Sequence, residues 1–124
     1  LMFINFSNHP SARWSTAQQS AAQRYGKVVD VPFPDIDPTA DETALDSMAA
    51  VYADHLLHLN PDAVLCQGES TFAYRVIRRL EGRGVPVLAA CSCREVQETT
   101  RPDGSTLRQS VFVFVGFRRY GTPP

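Results

Sequence analysis

The chain reads as a compact α/β domain of the Rossmann-like kind, a three-layer domain of four parallel strands with crossover helices plus a C-terminal antiparallel β-hairpin. Three observations predict it. Short apolar runs alternate with helical patterns through the first two thirds of the chain, which is the signature of a parallel sheet with helices on both faces. Three of those runs end in polar clusters, Ser7-Asn8-His9-Pro10, Gln67-Gly68-Glu69-Ser70 and Ser92-Cys93-Arg94-Glu95. After residue 94 the pattern changes to two strand-like runs around Arg101-Pro102-Asp103-Gly104, a strong turn signal.

Met2–Phe6 is the first strand. Ser15-Thr16 opens a helix through Tyr25, with Gly26 as its stop and Ala17, Ala21 and Tyr25 as a thin apolar stripe. Lys27–Val31 is the second strand. Pro32, Pro34 and Pro38 make the following segment a stiff irregular loop. A helix from about Thr43 to Leu59 follows, with Leu45, Met48, Ala49, Tyr52 and Leu56 on one face and Asp41 and Glu42 at its electropositive end. Asp62–Cys66 is the third strand. The helix after Ser70 turns Phe72, Val76 and Leu80 inward and Tyr74, Arg75, Arg78 and Arg79 outward, the arginines reading as a solvated face. Val85–Ala90 is a fourth strand of the type buried on both faces. Glu95–Thr100 and Leu107–Phe117 form the hairpin. Val111–Val115 is apolar on both faces and so belongs inside the fold or at a subunit contact. A single domain over residues 1–120 with a frayed tail at 121–124 follows.

The 124 residues carry 12 basic and 13 acidic side chains, a net charge of −1, which disfavours a duplex-DNA-binding protein. Three cysteines argue against a disulfide framework and fit a reducing cytoplasm. No apolar run is long enough to span a membrane, and no basic leader precedes the first strand, so no signal peptide is expected. Leu1 ahead of Met2 reads as a cloning scar.

If the three runs are parallel strands, all three polar clusters share the carboxyl edge, where open α/β sheets bind ligands. Gly68 permits close backbone approach there, and Ser70 would cap the third helix, whose free N–H groups favour phosphate. The bland alternative is a glycine turn and a helix cap. Glu69 is a candidate nucleophile or base, or else a solvated acid at a helix start. Ser7, Asn8 and His9 could bind phosphate or a ribose hydroxyl, with His9 an acid or base near neutral pH, or could be a loop-stabilising turn. Gln67 and Ser92 share the edge. Arg94 offers a planar fork to phosphate, or pairs with Glu95 or Glu98. Trp14 and Phe33 lie in loops at the same edge, where either could stack on a nucleobase or roof the core. The dinucleotide fingerprint and the lysine-containing phosphate loop are both missing. A zinc site from Cys66, Cys91, Cys93 and His9 is disfavoured by the tight Cys-x-Cys spacing, so neither metal nor cofactor is expected.

Asn5-Phe6-Ser7-Asn8-His9 after the opening strand, Gln67-Gly68-Glu69-Ser70 at mid-chain and a terminal hairpin together resemble the small stand-alone ring nucleases among the CRISPR-associated Rossmann-fold (CARF-like) proteins of type III systems. The resemblance implies a cytoplasmic homodimer that holds a cyclic oligoadenylate, of four or six units, across its two-fold axis. It implies cleavage without metal by attack of a ribose 2′-hydroxyl on the adjacent phosphorus, which would end an antiviral signal. Ser7 and His9 match the first loop, Gly68 and Ser70 the ligand-binding turn, and Arg94 would hold phosphate. No lysine lies near the edge, unlike in some ring nucleases, since Lys27 starts the second strand at the opposite end. Two other readings stay open: a sensor or sponge that binds without cutting, and an N-glycosidase like the nucleoside deoxyribosyltransferases that uses Glu69.

Overall fold

A computed structural model describes residues 1–121. Its elements are β1 (Met2–Ser7), α1 (Thr16–Gln23), β2 (Lys27–Pro32), α2 (Glu42–His58), β3 (Ala63–Cys66), α3 (Ser70–Glu81), β4 (Val87–Thr100) and β5 (Thr106–Arg119), with a short 3-10 turn at Ser11–Arg13. Of the expected tail at 121–124, residues 122–124 lie outside the described residues. The five strands form one sheet in the order β2-β1-β3-β4-β5, in which β1 to β4 run parallel and β5 runs antiparallel to β4.

Alternation along each strand divides the core into two layers. Ile4, Phe6, Val64, Cys66 and Val87 face α2 and α3, where Leu45, Ala49, Leu56, Phe72, Val76 and Leu80 close over them. Phe3, Leu65 and Leu88 face α1 and pack with Ala22, Trp14 and Phe117. Two helices thus cover one face and one eight-residue helix the other. Within α1 the buried residue is Ala22; of the expected Ala17-Ala21-Tyr25 stripe, Ala21 is half-buried, Ala17 is exposed, and Tyr25 lies beyond the helix, which ends at Gln23. Tyr25 still leans on Phe3, with ring centroids 5.6 Å apart.

The helix starts follow local chemistry. Ser15 Oγ accepts from Gln18 N (3.2 Å) and Asp41 Oδ1 from Ala44 N (2.8 Å). At α3 the expectation is corrected by one residue. Glu69, not Ser70, is the cap, and Ser70 is the first helical residue.

The second correction concerns β4. The sequence suggests a buried strand ending in the polar cluster Ser92–Glu95, followed by a separate hairpin. The structure has one 14-residue strand through all three. Only its first residues pair with β3, through Val64↔Val87 and Leu65↔Leu88, while β5 follows it to Thr100. Beyond Cys91 the two strands leave the sheet as an exposed arm. A polar stretch on a solvated ribbon satisfies its backbone by pairing and needs no loop. The third polar cluster therefore lies within a strand and not at a strand end.

Candidate functional site

Strands β1 and β3 are neighbours, but the chain leaves them in opposite directions, β1 toward β2 and β3 toward β4. That is a topological switch point, and the crevice beyond the carboxyl ends there is the favoured ligand position in open α/β sheets. Phe6 and Cys66 are in register, so the two strands end level. A groove of about 830 Å3 opens at this position, on the thinly covered α1 face. Such a volume is in the usual range for small-molecule sites.

One wall is the loop after β1. Asn5, buried inside β1, organises it. Its Nδ2 donates to the His9 carbonyl (2.9 Å) and to Asp30 Oδ1 (3.1 Å), while its Oδ1 accepts from Ser7 Oγ (2.6 Å). Ser7 Oγ in turn accepts from His9 N (3.2 Å), and Trp14 Nε1 donates to the same His9 carbonyl (3.2 Å). The loop is held through the backbone of His9, which leaves the imidazole exposed on the groove.

The second wall is the start of α1, with Arg13, Ser15, Ala17 and Gln18. Ser15 caps Gln18 N, but Thr16 N and Ala17 N are in the first turn, where backbone N–H groups lack helical partners. The floor is Leu65, Gln67, Gly68 and Ala90. Pairing between β3 and β4 has stopped there, and Gln67 Oε1 replaces it by accepting from Ala90 N (3.2 Å). Ser92, Phe112, Val113 and Phe114 of the arm make the last wall.

The groove brings together Ser7, Asn8, His9, Trp14, Gln67, Gly68 and Ser92. Four other sequence candidates lie elsewhere, each for a definable reason. Phe33 is 4% exposed and packs against Phe6 and Phe72 (5.0 and 5.5 Å between centroids), so it is core and cannot stack on a ligand. Ser70 faces the opposite side of the sheet with Ala73, Tyr74 and Tyr120. Arg94 is on the exposed arm opposite Phe112, beyond the groove lining. Its expected pairing with Glu98 is also replaced, because Arg108 takes that carboxylate at 3.1 Å.

Glu69 is outside the groove lining and fully engaged. Its two oxygens accept from Thr71 N (3.0 Å), Thr71 Oγ1 (2.7 Å) and Phe72 N (2.9 Å). The Thr71 hydroxyl, then the two backbone N–H groups, hold its carboxyl below the usual carboxylate range. An acid so stabilised as the anion is a poor base, and it occupies the Thr71 and Phe72 N–H groups of the α3 N-terminus that would otherwise be open to phosphate. Two more sequence readings change meaning. Ser7 is buried in the Asn5 network and donates its proton there, so its role is to shape the loop. A Cβ on Gly68 would come within 2.4 Å of the Phe33 ring, so this glycine makes room for the core rather than for a ligand.

The depressed Glu69 pKa stabilises the fold above the ordinary glutamate range, and that contribution is lost as pH falls through the lowered value. Glu69→Gln is therefore expected to lower the melting temperature slightly at pH 7, by the equivalent of about 0.5 kcal/mol for an exposed cap. The gap from the native protein should close only as pH falls below the ordinary glutamate range and the native carboxyl protonates as well. A pH series of thermal melts reads this directly. A gap that persists at low pH would contradict the cap assignment.

Burial pushes the Cys66 thiol up to about 12, so it is a hydrophobic core residue at neutral pH. No group of three or more metal-ligating His, Cys, Asp or Glu side chains occurs among the described residues. Among them, too, no helix is long and apolar enough to cross a membrane.

A family model described as the uncharacterized protein MJ1673 family matches residues 1–118. The chain belongs to the MJ1673 family. The match takes in every residue of the groove, from Ser7 to Phe114. A search of curated proteins found no match. In this MJ1673-family chain, Arg13, Gln18, Phe112 and Phe114 are among the groove residues that sequence reasoning misses. Arg13 had a legible signal, since it precedes the Ser15 helix cap by two residues. The two phenylalanines had none, because their direction depends on pairing with β4.

Proposed function

We propose that this MJ1673-family protein binds a ribonucleotide anion, a cyclic oligoadenylate, in the groove and opens the ring without metal. One observation carries the reading: the groove sets Arg13, the open first turn of α1 and the His9 imidazole against an aromatic wall. A guanidinium and free backbone N–H groups suit phosphate, and an apolar ring suits a base. The strand order with helices on both faces is compatible with a Rossmann-like domain.

The reaction is an internal transfer. The ribose 2′-oxygen forms a bond to the adjacent phosphorus, the bond from phosphorus to the 5′-oxygen breaks, and a 2′,3′-cyclic phosphate and a 5′-hydroxyl result. His9 takes the proton from the 2′-hydroxyl, and water supplies one to the departing oxygen. Arg13 and the α1 N-terminus offset the charge that grows on the phosphoryl oxygens. The protein would then act as an off-switch for its ligand in a reducing cytoplasm, where its free cysteines persist.

A second reading has specific support. Of three candidate catalytic residues, Ser7 and Glu69 are committed to structural hydrogen bonds. A protein with His9 alone fits a sponge that binds without cutting. The same commitment of Glu69 weakens the N-glycosidase reading.

The partner assigned to the arm is a second copy of this chain. An isolated two-stranded ribbon is marginal in water. Val115 is 67% exposed on the arm, and β5 is an unpaired sheet edge among the described residues. Arg94, Arg101 and Arg108 are balanced by Glu95, Glu98 and Asp103, so two arms do not repel.

The deciding experiment incubates the protein with cyclic tetra- or hexa-adenylate in EDTA and follows linear products, with light scattering on the same sample. Turnover by a dimer, weakened at least tenfold in affinity by Arg13→Gln, is expected. Binding without turnover leaves the sponge. Neither binding nor turnover ends the cyclic oligoadenylate reading. Release of free base from a nucleoside, lost in Glu69→Gln, would establish the glycosidase instead.

A further inference from the structure

We propose that the hairpin arm supplies the base-stacking wall of the groove, with Phe112 as the ring on which a base of the bound ribonucleotide lies. The inference rests on the ribonucleotide reading above and assigns the residue that would recognise the base.

The argument begins with a β-bulge. Ala90 pairs with Phe117 and Cys91 with Gly116, but Ser92 pairs with Phe114, so Val115 is an extra residue in β5. Side chains alternate along a strand, and an inserted residue reverses the alternation beyond it. Phe117 faces α1, where it packs against Phe3 at 5.2 Å. Without the bulge, Val115, Val113 and Val111 would share that face. With it, Phe114 and Phe112 do. Phe114 accordingly meets Phe117 at 5.0 Å, although the two are three positions apart. The bulge thus replaces a valine wall with a phenylalanine wall on the groove side.

The aromatic rings at the groove are not equivalent. Trp14 is tied by its Nε1 to the His9 carbonyl and lies edge-on to Phe3. Phe114 leans on Phe117. Phe112 is 78% exposed and has no aromatic neighbour among the described residues. An open aromatic face on a groove wall is available for stacking. Arg13, His9 and Gln67 line the same groove, and the Gln67 side chain is oriented by its Oε1, which accepts from Ala90 N. A flat apolar face beside a phosphate-binding wall matches the two halves of a nucleotide.

The test uses cyclic tetra-adenylate with one adenine replaced by 2-aminopurine, whose fluorescence falls on stacking. The native protein should quench it. Phe112→Ala, an exposed change that leaves the fold intact, should raise Kd roughly 5- to 100-fold and lose the quench. Phe112→Trp should restore both. If Phe112→Ala binds within twofold of the native protein while Arg13→Gln is weakened, the stacking assignment fails and the ribonucleotide reading stands. If Phe112→Ala instead converts a dimer to a monomer, the ring belongs to the subunit contact and the proposal is overturned. If the native protein does not bind the probe, the ribonucleotide reading fails and takes this inference with it.

Discussion

His9→Ala is expected to slow opening of a cyclic oligoadenylate by roughly 10²- to 10⁴-fold, the range for loss of one general acid or base, with Kd little changed. The structure makes this a clean substitution. The loop after β1 is held by the His9 carbonyl, which accepts from Asn5 Nδ2 and Trp14 Nε1, and by His9 N, which donates to Ser7 Oγ. Alanine keeps all three bonds and removes only the exposed imidazole. The space left is open to solvent, so added imidazole should restore part of the rate. Single-turnover kinetics and binding, measured on the same variant, separate the chemistry from affinity. An unchanged rate would remove His9 from the mechanism. Because Ser7 and Glu69 are already committed, the groove would then be a binding site alone.

Phe33→Ala is expected to cost about 3–5 kcal/mol of stability, as large aromatic truncations in a core do. Phe33 packs between Phe6 and Phe72 and is almost fully covered. Gly68→Ala should cost about 1–3 kcal/mol, since its methyl has no room against the Phe33 ring. The two losses should not add. In the Phe33→Ala background the ring is gone and the Gly68→Ala methyl has space, so a double-mutant cycle in urea should give a coupling of about 0.5–3 kcal/mol. A Gly68→Ala protein of unchanged stability that no longer binds ligand would show instead that the glycine serves ligand approach.

These two residues also show why the site was only partly legible. Phe33 lies between Pro32 and Pro34, which mark a loop correctly, but nothing local tells whether a loop aromatic points into the core or into solvent. Glu69 and Ser70 are adjacent, and both are plausible at a helix start. The one-residue choice between them decides whether the carboxylate is free or consumed, and it is made by where α3 docks its buried Phe72, Val76 and Leu80. Asn5 carried a readable signal, a polar side chain at an inward position of an apolar strand. Ser92–Glu95 misled because polarity is a good loop indicator only where strands are buried, and the arm is not.

From the sequence alone came the alternation of strands and helices, the terminal hairpin and the carboxyl edge at which Ser7–His9 and Gln67–Gly68 meet. Those follow from spacing, turn residues and caps, which act within a few residues of one another. The tertiary structure decided which groups at that edge face the groove. It tied Ser7 and Glu69 into hydrogen bonds, buried Phe33, brought in Arg13 from the turn before α1, and through one extra residue in β5 turned Phe112 toward the groove. Direction depends on register and pairing between distant segments, and a shift of a single residue reverses it.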